Sequence, residues 1–222
     1  MAIEAVPIDP AILYWGTPVV LLSTVNADGG TNLAPMSSAW WLGWGCMLGL
    51  SESAHTVANL RRTGQCVLNL PSVDQADAVN HIAGTTGADP VPPDKAWLGF
   101  THEAEKFNRA KMTPIASTVV DAPRAAECPV QMEATVEGIH AFGESNPSVP
   151  MPALAIELRI VAIHAHPNIL FEENPRRIDP DAWRPLIMSF RELYGLDGKA
   201  STSRLAEIDE ELWRPPVRGS QP

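Results

Sequence analysis

Apolar runs separated by turn residues predict a β-rich fold for the first third of the chain. Thr17–Val25 is an apolar and β-branched run, and the turn sequence Ala-Asp-Gly-Gly follows at residues 27–30. Asp-Gly and Gly-Gly between apolar runs are a strong hairpin signal, because glycine readily adopts the positive φ that such turns need. A second strand is therefore predicted over Thr31–Leu42, and a third over Cys46–Leu50.

A short helix is predicted directly after the third strand. Ser53 has a side chain suited to capping it, and Gly64 is placed to end it. Gln65–Leu70 then forms a further strand, which Pro71 closes. This order places a loop rich in hydroxyl groups at a helix N-terminus beside a sheet.

That loop is the first candidate for chemistry. A helix N-terminus presents unpaired N–H groups and a partial positive charge, which suit a phosphate. Ser51, Ser53 and Thr56 add hydroxyl donors, and His55 adds a donor that can be charged. The alternative is that these hydroxyl groups only cap the helix. In the preceding strand, Pro35 removes a hydrogen-bond donor, which predicts an edge position or a bulge.

The rest of the chain carries further periodic segments. Val73–Ala83 has the spacing of an amphipathic helix, and residues 8–16 are predicted to form a short one. Residues 84–126 form an irregular insertion with a short helix at His102–Arg109. We expect this insertion to be one wall of a substrate pocket, with surface padding as the alternative.

Two long antiparallel strands are predicted over Val130–Ala141 and Ala153–Ala165. Four charged residues would face outward from them at period two: Glu133, Glu137, Glu157 and Arg159. Asp179–Tyr194 is predicted to be helical. Residues 197–222 are expected to form a polar tail.

Composition restricts the class of protein. A chain of 222 residues with 45% hydrophobic and 19% charged residues fits one globular domain, 1–222. The net charge of −10 argues against nucleic acid and anionic membranes as partners. No apolar run is long enough for a membrane span, and the N-terminus lacks the apolar region of a secretory signal. Core positions are expected for Cys46, Cys66 and Cys128, in a cytoplasmic protein.

Three other sequence features could indicate an esterase, a metal site or a Rossmann domain. Residues 49–53 nearly match the G-x-S-x-G nucleophile elbow of esterases, but the chain lacks the strand–helix alternation of an α/β-hydrolase. His164 and His166 would share one face of a strand and favour a surface pair over a metal site, so no metal is assigned. No G-x-G-x-x-G follows a strand, so a Rossmann domain is not expected.

The motifs around the candidate loop also occur together in a known family. They are Asn32-Leu33-Ala34-Pro35-Met36-Ser37-Ser38, then residues 51–56, 59–64 and 67–71. Each motif is weak alone, but as an ordered set they resemble the flavin reductase-like, FMN-binding split-barrel family. The resemblance implies a mainly β fold, a six- or seven-stranded Greek-key-like barrel with peripheral helices.

The resemblance also implies a flavin site. It places Asn32, Ala34, Pro35, Met36, Ser37 and Ser38 beside the flavin ring. It places Ser51, Ser53, His55 and Thr56 beside the phosphate. The cofactor would be FMN, with FAD as the alternative, and no acid–base residue is assigned.

The implied reaction is hydride transfer from NADH or NADPH to flavin, and onward to a small acceptor or a partner oxygenase. The alternatives are a non-enzymatic flavin carrier or redox sensor, and an oxidase acting on a different substrate. A homodimer is expected, because Trp40, Trp41 and Trp44 supply more aromatic surface than one small barrel covers. Related chains often have an arginine and an aromatic at the positions of Arg191 and Tyr194, but the flanking residues depart from the family pattern, so Arg191 receives no role.

Overall fold

The structure is a computed structural model that describes residues 4–146 and 152–214. Along these residues the strands and α-helices are β1 (Trp15–Pro18), β2 (Val20–Val25), β3 (Thr31–Met36), β4 (Ala39–Leu42), β5 (Gly45–Ser51), α1 (His55–Thr63), β6 (Gln65–Leu70), α2 (Ala76–Ile82), β7 (Thr85–Thr86), α3 (Pro93–Trp97), β8 (Thr101–His102), α4 (Lys106–Ala110), β9 (Pro114–Ile115), β10 (Arg124–Ala125), β11 (Val130–Phe142), β12 (Ala153–Ala165), β13 (Leu170–Phe171), β14 (Asn174–Ile178), β15 (Ile187–Ser189) and β16 (Glu192–Tyr194). Short 3₁₀ turns lie at Val73–Gln75, Pro167–Ile169, Arg204–Glu207 and Glu210–Trp213.

The main sheet has seven antiparallel strands in the order β3-β2-β6-β11-β12-β5-β4. Its two end strands, β3 and β4, are consecutive in sequence and are separated only by Ser37 and Ser38. A sheet whose end strands are joined by two residues curls round on itself into a barrel, and because β3 and β4 do not pair with each other among the described residues, the barrel stays open along the edge of β3. At this junction the Gly49 N–H donates to the Ser38 carbonyl oxygen over 2.8 Å. The predicted barrel is confirmed, and the predicted strand 31–42 is divided in two.

Neighbouring residues of β2 point into two different cores, as a period of two requires. Leu22 faces the barrel interior, while Leu21 packs with Leu33, Val79 and Phe107 between the barrel wall and helices α2 and α4. Each fully buried leucine contributes about 1.5–3 kcal/mol to folding. The second core fixes the helices of the insertion against β3.

The predicted hairpin and the predicted helix after β5 are both confirmed. Gly29 has φ +86° in the turn between β2 and β3, and the Asn26 N–H donates to the Gly30 carbonyl oxygen over 2.7 Å. Gly64 ends α1 with φ +65°. The cap prediction is wrong, because α1 begins after Ala54 and no side chain caps it.

Two predicted helices are wrong. Residues 8–14 contain no helix, and Asp179–Tyr194 contains β15 and β16. These strands form a small sheet with β1, in which Thr17 lies opposite Met188 and Pro18 lies opposite Ile187. Pairing between segments about 170 residues apart overrides the local helical pattern of each.

The predicted amphipathic helix 73–83 is present as a 3₁₀ turn followed by α2. Ser72 and Gln75 form a capping box at its start. The insertion 84–126 is irregular as predicted, with α3, α4 and four two-residue strands. The short helix predicted at His102–Arg109 is α4, which begins later, at Lys106.

The two long strands are confirmed, but the prediction that Glu133 faces outward is wrong. Glu137 and Glu157 are exposed and Arg159 is half-buried, whereas Glu133 is buried. The loop before β10 covers it.

This covering loop satisfies the buried carboxylate of Glu133. The backbone N–H groups of Thr118 (2.8 Å) and Val119 (2.6 Å) donate to it, and His164 Nε2 lies 2.7 Å from Oε1. Burial alone would raise the pKa of Glu133, but these hydrogen bonds outweigh it and lower the pKa to about 2.

His164 and His166 do not share a ligand. His164 pairs with Glu133, while His166 Nε2 lies 2.9 Å from the Ala126 carbonyl oxygen. Within the described ranges, no three His, Cys, Asp or Glu side chains are grouped to hold a metal.

In the same ranges no helix is long and apolar enough to cross a membrane. All three cysteines are buried, as predicted. Residues 147–151, between β11 and β12, and residues 215–222 of the predicted tail lie outside the described residues.

Candidate functional site

A cavity of about 520 Å³ opens beside β3 and the start of α1. One side, the motif wall, comes from residues 32–38 and 49–56. The other side, the cationic wall, comes from residues 79–106, from Tyr14 just before β1 and from the β15–β16 hairpin. The cationic wall contains Val79, Asn80, Ile82, Ala83, Gly84, Thr85, Thr86, Gly87, Lys95, Phe100, Lys106, Tyr14, Met188, Arg191 and Leu193. A volume of this size accommodates a small organic ligand.

Nine of the ten predicted site residues line this cavity, and Ser53 does not. The nine are Asn32, Ala34, Pro35, Met36, Ser37, Ser38, Ser51, His55 and Thr56. The Ser53 hydroxyl instead donates to Asp94 Oδ2 over 2.5 Å, and this hydrogen bond holds the pKa of Asp94 below its ordinary value. Ser53 therefore connects the loop before α1 to helix α3 of the insertion.

Strand β3 presents a free edge beside the cavity. It is the end strand of the sheet, and in the described part of the chain the only strand that pairs with it is β2. Pro35 lies in this strand, which confirms the predicted edge position. Backbone groups along the free edge can therefore bond to a planar ligand with donors and acceptors of its own.

A network of hydrogen-bonded amide and hydroxyl side chains supports the lining residues of the motif wall. Asn59 Nδ2 donates to Thr24 Oγ1 (3.0 Å) and to Asn26 Oδ1 (2.9 Å), and His55 Nε2 lies 2.9 Å from the same Asn26 oxygen. Asn32 Nδ2 donates to Thr56 Oγ1 over 3.2 Å. These contacts fix the orientation of the His55, Asn32 and Thr56 side chains.

One acceptor in this network is left open. Asn32 is only 2% exposed, and within the described part of the chain its Oδ1 has no hydrogen-bond partner. An unsatisfied buried acceptor costs roughly 1–3 kcal/mol. Because Asn32 lines the cavity, a donor on a bound ligand would remove that cost.

The two walls touch at Gly87. A Cβ atom at this position would lie 2.6 Å from His55 Cδ2 and 2.9 Å from Asn32 Oδ1. Such distances are too short for non-bonded carbon contacts, so the approach requires glycine. The backbone of the insertion thereby packs directly against the polar end of the motif wall.

Lys106 places a buried positive charge in the cationic wall. It is 2% exposed, its Nζ donates to the Thr85 carbonyl oxygen over 3.2 Å, and among the described residues no carboxylate pairs with it. Burial, helped by the charge of Lys95, lowers the pKa of Lys106 to about 8. Burial and then the charge of Lys106 lower the pKa of His55. An anionic ligand would relieve these unfavourable interactions.

The start of α1 adds partial positive charge at the same end. The backbone N–H groups of His55 and Thr56 precede the first helical hydrogen bonds, which run from Val57 and Ala58 to the Ala54 carbonyl oxygen. Because no side chain caps this helix, these donors remain for a ligand.

The insertion lines one side of the cavity, as its irregular sequence predicts. No motif singles out the lining residues Lys95, Phe100 and Lys106 within it. The predicted helix over Asp179–Tyr194 includes Arg191, to which the sequence assigns no role. The structure instead places Arg191 at the tip of the β15–β16 hairpin, where it lines the cavity.

Residues 14–196 match the family described as the flavin reductase like domain. The chain belongs to this flavin reductase-like family. A Bacillus subtilis (strain 168) member, the uncharacterized protein YdfE, is 39% identical over 189 residues, which cover 85% of this chain and 88% of that protein.

Solved structures show the same fold. Flavoredoxin of Desulfovibrio vulgaris (Miyazaki F) has a TM-score of 0.73 and 17% identity, covering 92% of this chain and 100% of that chain. Nitrilotriacetate monooxygenase component B from Bacillus cereus has a TM-score of 0.69 and 19% identity, covering 90% and 100%. The predicted split barrel with peripheral helices is thereby confirmed.

Membership in the flavin reductase-like family implies a flavin cofactor, and the cavity fits one. The free edge of β3 suits the donors and acceptors of a flavin ring. The open Asn32 Oδ1 suits a ligand N–H or O–H group. Lys106 and the start of α1 suit a phosphate.

Proposed function

We propose that the protein is an FMN-binding oxidoreductase that uses NADH or NADPH. The observation that carries this proposal is the charge of the cavity. Among the described residues its lining includes three cations and a histidine but no Asp or Glu, although the chain has 26 acidic and only 16 basic residues. A local positive field in an acidic protein indicates an anionic ligand, and the family makes that ligand a flavin nucleotide.

The phosphate of FMN would lie at the start of α1. The Thr56 hydroxyl accepts from Asn32 and keeps its own O–H for a ligand, whereas the Ser51 hydroxyl, which also lines the cavity, lies 3.0 Å from the Ser53 hydroxyl. Lys106 supplies the opposing charge. Since Asn32 contacts Thr56, we propose that Asn32 serves this end of the ligand and not the ring.

The flavin ring would lie along the free edge of β3, beside Ala34, Pro35, Met36, Ser37 and Ser38. Backbone groups of an edge strand are fixed in position by the sheet, so they hold a planar ring without reorganising. The other wall offers Phe100 and Met188 as apolar surface.

When bound, a flavin accepts a hydride from a reduced nicotinamide and later returns two electrons to an acceptor. The chain's contribution is to bind the cofactor, orient its ring and supply a positive field. We assign no acid–base residue. A nicotinamide would approach the open side of the cavity and would need no Rossmann domain.

We also propose a cytoplasmic homodimer. Trp40, Leu42 and Trp44 on and beside β4 are 57%, 79% and 41% exposed, and Trp15 of the neighbouring β1 is 65% exposed. A second copy would cover this aromatic surface. Because one structural neighbour is a monooxygenase component, a partner oxygenase is a candidate electron acceptor.

Titration of the purified protein with FMN, FAD and riboflavin, followed by flavin absorbance, tests the proposal. FMN is expected to bind most tightly, because only it presents a single terminal phosphate to Lys106. Failure of all three to bind at micromolar concentrations would overturn the flavin site.

Oxidation of NADH and NADPH by the FMN-loaded protein then tests the reaction. Tight FMN binding without nicotinamide oxidation would instead support a flavin carrier or redox sensor. Oxygen consumption without any nicotinamide would support an oxidase.

A further inference from the structure

The hairpin between β15 and β16 has an unusual turn. Ser189 pairs with Glu192, so the turn has two central residues, Phe190 and Arg191, with φ of +46° and +72°. Two-residue hairpins with positive φ at both positions strongly favour Asn-Gly, because a Cβ atom strains the backbone in this region. Phenylalanine and arginine in this conformation point to a role for their side chains.

Phe190 anchors the turn to β1. Its ring packs edge-on against Trp15 with centroids 4.8 Å apart, and its N–H donates to the Tyr14 carbonyl oxygen over 2.8 Å. At the base of the hairpin, a Cβ atom on Gly195 would lie 2.5 Å from Val73 Cγ1. The hairpin is thus packed closely at both ends, which fixes the backbone of Arg191 at the cavity.

Arg191 is a cation without a partner. It lines the cavity, and among the described residues no carboxylate forms an ion pair with it. It comes from the β15–β16 hairpin, whereas the other two cations of the lining, Lys95 and Lys106, come from the insertion. The cavity therefore has a second positive point.

We propose that Arg191 binds an anionic group of the second substrate, the molecule that exchanges electrons with the bound flavin. A guanidinium group binds a pyrophosphate or a carboxylate through two parallel hydrogen bonds, which one ammonium group cannot match. The pyrophosphate of a nicotinamide dinucleotide and the carboxylate of a small acceptor share this chemistry. The inference rests on the proposed function, because it assigns the Lys106 end to the flavin.

The test uses the FMN-loaded protein and three variants. Arg191→Gln removes the charge, and Arg191→Lys keeps the charge but loses the two parallel N–H donors of the guanidinium group. Arg184→Gln is the control, because Arg184 is an exposed arginine of the same segment that does not line the cavity. The Kd for FMN is measured first. NAD⁺, inorganic pyrophosphate and benzoate are then titrated separately, and the perturbation of flavin absorbance is followed.

Arg191→Gln is expected to weaken NAD⁺ and pyrophosphate about 10- to 150-fold, as loss of a charge-assisted hydrogen bond predicts. The Kd for FMN should stay unchanged, Arg191→Lys should recover part of the loss, and Arg184→Gln should behave as wild type. A loss confined to benzoate would support the same site with a carboxylate substrate.

Three results would overturn the assignment. They are unchanged affinity for all three anions in Arg191→Gln, an equal loss of FMN affinity, and no anion binding by the wild type. If the wild type binds no FMN, the proposed function itself has failed, and this outcome is separate from the other three.

Arg191→Gly gives a second readout that does not depend on bound flavin. Glycine relieves the strain at φ +72°, so the empty variant should have a higher melting temperature than wild type while losing the same anion affinity. A lower melting temperature would show that Arg191 has a structural role instead.

Discussion

The motif wall and the cationic wall face each other across one cavity, but they are built in different ways. The motif wall comes from two short stretches that are close in sequence, and its side chains are mostly small and uncharged. The cationic wall collects residues from Tyr14, α2, the insertion and the last hairpin, and it supplies all three cations of the lining. A ligand that contacts both walls is therefore positioned by the small side chains of the motif wall and attracted by the charges of the cationic wall.

Their supporting contacts also differ. The motif wall rests on side-chain hydrogen bonds among residues such as Asn26, Asn32 and Asn59, and it leaves the Asn32 Oδ1 acceptor open. The cationic wall leaves Lys106 and Arg191 without carboxylate partners among the described residues. Unpaired charge destabilises the empty protein, so we expect the cationic wall to lower the stability of the empty fold and to raise its affinity for an anionic ligand.

Replacing Lys106 should give the largest effect. Lys106→Met is expected to weaken FMN about 100-fold, because the phosphate loses a buried opposing charge, and to leave riboflavin almost unchanged. The matched control is Lys111→Met, an exposed cation at the end of the same helix. An equal loss of riboflavin affinity would contradict the assignment of Lys106 to the phosphate.

The same variant should be more stable without ligand. Burial lowers the pKa of Lys106 from 10.5 to about 8, so charged Lys106 destabilises the empty fold below pH 8, and that cost disappears as the pH rises towards 10.5. Lys106→Met should therefore raise the free energy of unfolding at pH 7 by about 1–3 kcal/mol. Wild-type affinity for FMN should fall above pH 8, whereas the variant should show no such fall.

Gly87→Ala tests the point where the two walls meet. The new Cβ would press on His55 and Asn32, which are held by Asn26 and Thr56. Overpacking of this kind costs about 1–3 kcal/mol, so FMN affinity should fall roughly 5- to 150-fold, and riboflavin affinity should fall with it.

A double-mutant cycle identifies the cause of that loss. If contact with His55 is responsible, Gly87→Ala should be much less harmful in a His55→Ala background. Equal losses in both backgrounds would place the strain elsewhere.

Thr56→Ala should give the smallest of the three losses. One hydroxyl donor to phosphate is lost, so FMN should weaken about 10-fold, riboflavin should not weaken, and Thr56→Ser should bind as wild type. Ser53→Ala is the comparison variant, because its hydroxyl donates to Asp94 outside the cavity, does not cap α1 and reaches the cavity lining only through its 3.0 Å contact with the Ser51 hydroxyl. If Ser53→Ala lost FMN affinity and Thr56→Ala did not, the Ser53 hydroxyl and not the Thr56 hydroxyl would bind the phosphate.

The sequence by itself determined the parts that depend on neighbouring residues. The β2–β3 hairpin follows from glycines at the turn, α1 ends at Gly64, and the long strands β11 and β12 follow from sustained apolar alternation. The ordered motifs identified the family and nine residues of the cavity. Each of these signals spans a few positions, so a single stretch of chain contains it.

Only the tertiary structure decided the rest, because the deciding contacts join distant segments. Residues 8–16 and 179–194 have helical spacing, but Thr17 and Pro18 pair with β15 across the chain. Glu133 alternates like a surface residue, but the loop at Thr118 covers it. Lys106 has no local signature at all. It becomes part of a site because α4 packs against β3, and burial without a partner turns an ordinary lysine into an anion-binding group.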